Sequence, residues 1–98
     1  MLFVLTETWP ATSSAEVGKE AVRLAGTPPL NMKMLGPYIT MGGDGVKDYT
    51  IYEVEKGQED KALTEIMGRL SGFFRIPGYK ASLEVAITQI EALPLVGL

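Results

Sequence analysis

The sequence predicts an α+β fold of order β-α-β-β-α-β, with four antiparallel strands in one sheet and two helices on one of its faces. Three observations predict it. Residues 2–9, 47–55 and 79–91 sort by parity onto two faces, the period of a strand. Apolar residues recur at helical spacing over 14–25 and 58–72. Glycine and proline clusters separate these segments and supply the breaks between them.

The first strand covers residues 2–9. Leu2, Val4 and Thr6 point to one side, and Phe3, Leu5, Glu7 and Trp9 to the other. Pro10 ends it, because proline cannot continue a ladder and keeps its predecessor extended. Ser13 followed by Glu16 has the spacing of a capping box, so a helix is predicted over 14–25. Its apolar stripe is Val17, Ala21, Leu24 and Ala25, and Gly26 stops it. Thr27-Pro28-Pro29 makes a stiff linker. Residues 30–41 read as a strand broken or bulged at Gly36-Pro37. Pro37 has no amide hydrogen, which places this strand at a sheet edge.

Gly42-Gly43-Asp44-Gly45 lacks the Lys-Ser/Thr pair and following helix of a phosphate loop, so it reads as a hairpin turn. The next strand, 47–55, carries Tyr49, Ile51 and Glu53 on one face and Thr50, Tyr52 and Val54 on the other. A second helix over 58–72 has the stripe Leu63, Ile66, Met67 and Leu70, with Glu59 and Asp60 at its positive end. An apolar loop follows at 73–78. The last strand, 79–91, alternates Ala81, Leu83, Val85 and Ile87 with Ser82, Glu84, Ala86 and Thr88. The chain forms a single domain over 1–98, with 92–98 as an apolar tail. Taken in order, these elements make the split βαβ, ferredoxin-like arrangement.

Composition excludes several functions. With 46% apolar and 21% charged residues the chain has the balance of a globular domain. A net charge of −3 argues against a nucleic-acid partner, which would call for a basic face. Apolar runs are far shorter than the roughly 20 residues of a membrane span, so no membrane partner is expected. Met1 to Leu5 lacks a basic leader region and reads as strand, which makes a cytoplasmic location the expectation. The chain has no Cys and no His. Thiol chemistry, Cys/His metal sites and His-dependent catalysis are therefore excluded, and neither a cofactor nor a metal is expected. Any catalysis would fall to carboxylates, Lys, Tyr, Arg or the backbone.

Two helices cover only one face of a four-stranded sheet, yet the first strand is apolar on both sides. Burying one such side chain is worth about 1.5–3 kcal/mol. The economical solution is a second copy packed face to face, an isologous homodimer. The apolar tail would add to that contact.

The order of elements, the strand 2–9, the segment Pro28-Pro29-Leu30-Asn31-Met32-Lys33-Met34-Leu35-Gly36-Pro37-Tyr38, the strand Tyr49-Thr50-Ile51-Tyr52-Glu53-Val54-Glu55 and the helix after it resemble the dimeric α/β-barrel superfamily. The chain looks most like a small family of unknown function within it. The resemblance spans nearly the whole chain and implies a dimeric α/β barrel. Members of the superfamily include cofactor-independent monooxygenases, haem-degrading enzymes, lactone isomerases, chlorite-degrading haem proteins and amino-acid-sensing domains. Several branches use a cavity histidine, and the nearest family's pattern places one near Ile39. This chain has none, which argues against the haem and His-assisted chemistries.

Glu7 and Glu53 are the candidate catalytic residues, because each lies on a strand among apolar neighbours, where desolvation would make a proton acceptor. The competing reading is a solvated strand end, or a pairing with Lys33, Lys47 or Lys80. Phe3, Trp9, Tyr38 and Ile51 are the candidate ligand-binding residues, joined by Met32 and Met34 as pocket-lining side chains. The competing reading for these is core and interface packing. Glu53, Glu55 and Glu59 do not match a metal-loop pattern. The resulting expectation is a small homodimeric α/β-barrel protein that binds a small apolar or aromatic ligand or serves as an assembly module. The alternatives are a cofactor-independent monooxygenase or isomerase using cavity carboxylates, and a ligand-sensing domain that pairs with another protein.

Overall fold

The computed structural model describes residues 1–98. Four strands, β1 (Leu2–Trp9), β2 (Met32–Gly42), β3 (Gly45–Val54) and β4 (Lys80–Ala86), form one antiparallel sheet in the order β2-β3-β1-β4. Helix α1 (Ser14–Ala25) follows β1, and α2 (Glu59–Leu70) follows β3. The architecture is α+β, with both helices on the same face of the sheet.

Burial along β1 alternates strictly. Phe3, Leu5, Glu7 and Trp9 are buried, while Leu2, Val4, Thr6 and Thr8 are half-buried on the other side. The register against β3 sets Leu5 opposite Thr50, Glu7 opposite Asp48 and Trp9 opposite Val46. The helix-covered core falls into two clusters. At one end Phe3, Leu5, Tyr52 and Val54 pack on Ala62, Ile66 and Leu70 of α2. At the other, Trp9, Val46 and Val17 pack with Phe73, Ile76 and Tyr79. The polar pair Glu7 and Asp48 lies in the register between them.

The edge strand and hairpin form as expected. β2 lies at the sheet edge, bulged between Leu35 and Tyr38 around the cis Gly36-Pro37 bond. Gly42 pairs with Gly45, which leaves Gly43-Asp44 as a two-residue turn. Gly45 is required there. Its φ is +114°, and a Cβ would stand 2.6 Å from the Trp9 carbonyl oxygen.

Three expectations are corrected. Ser13 does not close a capping box on Glu16; its hydroxyl donates instead to the Pro77 carbonyl at 2.6 Å. A buried serine is better satisfied by that tertiary acceptor, and a 3-10 turn at Ala11–Ser13 leads into the helix. The buried line of α2 is Ala62, Ile66 and Leu70, spaced by four, while Leu63 and Met67 flank it and stay exposed. The last strand ends at Ala86, not at residue 91. Thr88 and Glu91 form a reciprocal capping box there that starts a short helix α3 (Gln89–Ala92), and a 3-10 turn at Leu93–Val96 follows.

Candidate functional site

A cavity of about 170 Å³ lies between the two helices and the sheet. Leu5, Leu24, Met34 and Phe73 supply apolar walls. Glu7, Asp48, Thr50, Tyr52 and Arg69 supply polar ones. Strand alternation places these groups. Glu7 follows Leu5 on the inward face of β1, and Asp48, Thr50 and Tyr52 share the inward face of β3. Arg69, near the end of α2, donates to the carbonyls of Thr27 and Leu24 and so caps the C-terminal end of α1.

Glu7 and Asp48 are directly opposed across the β1–β3 ladder, and they are 7% and 6% exposed. Burial raises the Asp48 carboxyl to about 8, and the charge of Glu7 and a hydrogen bond to it act in the same direction. Asp48 is therefore held in its protonated form at neutral pH. The Tyr79 hydroxyl donates to Glu7 Oε2. Burial, reinforced by that hydrogen bond, raises the Tyr79 phenol, and burial with the Glu7 charge raises Tyr52 to about 12. Phe73 stacks on Tyr79 with ring centroids 5.2 Å apart, which holds the phenol against Glu7. Asp48 Oδ1 is buried with no hydrogen-bond partner. The arrangement is a pair of opposed, buried carboxyl groups at the polar wall of a small, otherwise greasy hollow.

The expected site residues do not gather in one place. Glu7 lies in the cavity wall, but Glu53 is exposed on the opposite, uncovered face, so the two carboxylates cannot act together. Phe3 and Trp9 face the helices and sit in the packed core, and the Trp9 indole N–H donates to Ser14 Oγ at 3.2 Å. Ile51 and Tyr38 lie on the uncovered face, with Tyr38 60% exposed. Met34 lines the cavity, whereas Met32 packs against the core. The hollow holding buried polar groups is thus inside the chain itself, on the helix side, and not on the face expected to meet a partner.

Asp48, Thr50, Tyr52, Tyr79 and Arg69 were not singled out from sequence. One signal was available for Asp48. Aspartate is disfavoured inside a strand, and its parity puts it on the same face as Thr50, Tyr52 and Val54. A larger hollow of about 880 Å³ runs along Arg23, Thr27, Asp60, Lys61 and Arg69, but it is an open surface groove lined mainly by polar residue types. No three acidic, His or Cys side chains converge anywhere in a metal-holding group. No helix is long and apolar enough to cross a membrane. The chain matches no family model and no curated protein.

Proposed function

We propose that this protein is a ferredoxin-like homodimer of the dimeric α/β-barrel type, and that each subunit binds one small, largely apolar molecule between its helices and its sheet. The single observation that carries the binding reading is the 170 Å³ cavity, because one wall holds a buried carboxyl pair while the others are apolar. An engineered apolar cavity of about 150 Å³ admits benzene, so the hollow suits one ring with a short substituent. The strand order β2-β3-β1-β4, with both helices on one face, supports the ferredoxin-like assignment. Support for the dimer comes from the uncovered face, where Leu2, Val4, Leu35 and Ile51 are half-buried and Tyr38 and Tyr49 are exposed. Removing that face from water is worth about 25 cal/mol per Å².

A second reading has a specific observation in its favour. Asp48 keeps its proton to about pH 8 beside the Glu7 charge, which suits a general acid and base for a cofactor-independent isomerase or oxygenase. In that reading the cavity carboxylates are Glu7 and Asp48, and Glu53 has no part.

Binding is tested by titrating the ¹⁵N-labelled chain with one-ring compounds, alongside an Ala21→Phe variant that fills the hollow. Shift changes at Leu5, Leu24 and Phe73 that vanish in the variant support the reading. Identical shifts in both proteins would sink it. Native mass spectrometry of freshly purified protein reports subunit number and any retained small molecule together.

A further inference from the structure

We propose that a second copy docks on the uncovered sheet face in one orientation, its strands running opposite to their counterparts, so that Lys47 and Lys80 of each copy meet Glu53 and Glu84 of the other. The inference deepens the homodimer reading above and rests on it.

Strand register carries the argument. On the uncovered face Thr8 of β1 has Lys47 of β3 on one side and Lys80 of β4 on the other. Toward the other end of the same strand, Val4 is flanked by Glu84 of β4, and Leu2 by Glu53 of β3. All four charged side chains are exposed, and none has an ion-pair partner within the chain, whose one ion pair joins Arg23 to Glu20. Lys47 instead lies along its own face, with Nζ 5.2 Å from the centre of the Tyr49 ring. Lys33, opposite Glu53 in the register, offsets part of the acidic end without forming an ion pair. The face is therefore polarised along its strands, basic at one end and acidic at the other.

That polarity selects the orientation. A twofold axis between two packed faces can run along the strands, across them or on the diagonal. An axis along the strands sets the basic end of one copy on the basic end of the other. A diagonal axis, which crosses the sheets at right angles, sets Lys80 against its own counterpart or against Lys33. An axis across the strands lays β3 on β3 in reverse, with Lys47 over Glu53 of the second copy and Lys80 beside its Glu84. Only this arrangement pairs unlike charges, and complementary charge is what fixes register and rejects wrong packings.

The rows between the charged ends fit the same orientation. Leu35 and Ile51 of one copy fall over the rings of Tyr38 and Tyr49 of the other, so apolar side chains meet aromatic ones. The size is sufficient as well. Strands about 4.8 Å apart and side-chain rows about 6.8 Å apart give the four-stranded face about 500 Å² in plan, or about 1,000 Å² over two copies, where specific interfaces begin.

The test is charge reversal in the full-length chain, read by sedimentation velocity and native mass spectrometry. Lys47→Glu with Lys80→Glu makes both ends of the face acidic, and Glu53→Lys with Glu84→Lys makes both basic. Each double variant should self-associate about a hundredfold more weakly than the wild type, because like charges then oppose one another. Mixed, the two should form a heterodimer. Lys47→Glu with Glu53→Lys in one chain exchanges the charges of the closest pair and should dimerise as the wild type does, which separates lost pairing from lost folding. Double variants that dimerise like the wild type, monomeric ones that stay apart on mixing, or an exchanged variant that fails to dimerise would overturn the orientation. The homodimer reading would still stand if the wild type is dimeric and Ile51→Lys is not. A wild-type chain that stays monomeric would remove both.

Discussion

Replacing Asp48 with Asn tests the electrostatics of the cavity directly, with little change of shape. Burial and the Glu7 charge raise the Asp48 carboxyl from an ordinary 3.8 to about 8. The folded chain therefore retains a proton that the unfolded chain releases between about pH 4 and pH 8. The unfolded state binds fewer protons across that window, so stability declines as pH rises through it and levels off above about 8. At about 1.4 kcal/mol per pH unit the displacement is worth at most about 6 kcal/mol. Solvent polarisation around the cavity reduces this to on the order of 3 kcal/mol. Asparagine has no proton to lose. Asp48→Asn should match the wild type within about 1 kcal/mol at pH 5 and exceed its stability by on the order of 3 kcal/mol at pH 9. The assay is urea unfolding at fixed protein concentration and at pH 5, 7 and 9, followed through the fluorescence of Trp9, the chain's one tryptophan, buried in the core. Glu20, lowered by its hydrogen bond to Arg23, changes stability only in more acidic solution and does not obscure this window. A wild-type midpoint that is flat from pH 5 to 9, or a variant that declines in parallel with it, would refute the reasoning.

Three further outcomes are expected. Tyr79→Phe removes the buried donor to Glu7 and should cost about 1.5–3 kcal/mol at pH 7 by urea unfolding; a loss below about 0.5 would show that the hydrogen bond carries little weight. Gly45→Ala forces a methyl to 2.6 Å from the Trp9 carbonyl oxygen at φ +114° and should cost about 2–4 kcal/mol, whereas unchanged thermal unfolding would mean the turn relaxes freely. Ile51→Lys puts a charge in the middle of the uncovered face and should convert the proposed dimer to monomer in sedimentation velocity. A variant that sediments as the wild type does would remove that face as the contact.

Much of the scaffold was legible because it follows from local chemistry. The stripe from Val17 to Leu24 marks α1 at Ser14–Ala25, although Gly26 follows it at φ −74° and not in the left-handed conformation. The missing amide of Pro37 puts β2 at the edge, and the glycines around Asp44 make the hairpin. The failures have local causes too. Ser13 meets a distant carbonyl at Pro77 that no window of sequence can reveal. The tail from Thr88 onward has too few residues to declare a helical period, and its capping box is what starts the turn.

The candidate site was half legible. Glu7 stood out because a carboxylate among Phe3, Leu5 and Trp9 breaks the apolar face of a strand. Its partner did not, because opposition across a ladder depends on register. Only pairing β1 with β3 sets Asp48 against Glu7, and only the return of the chain at Tyr79 brings in the phenol.

What the sequence determined alone was the order of the four strands and two long helices, the two faces of β1, β3 and β4, and the absence of every chemistry that needs histidine or cysteine. The tertiary structure decided which face the helices cover. That choice placed Glu7 with Asp48 and left Glu53, Ile51 and Tyr38 on the other side. The physical reason is that alternation tells a residue which neighbours share its side of the sheet, but not which side loses its water. The packing of α1 and α2 settles that, and with it the raised proton affinity of Asp48.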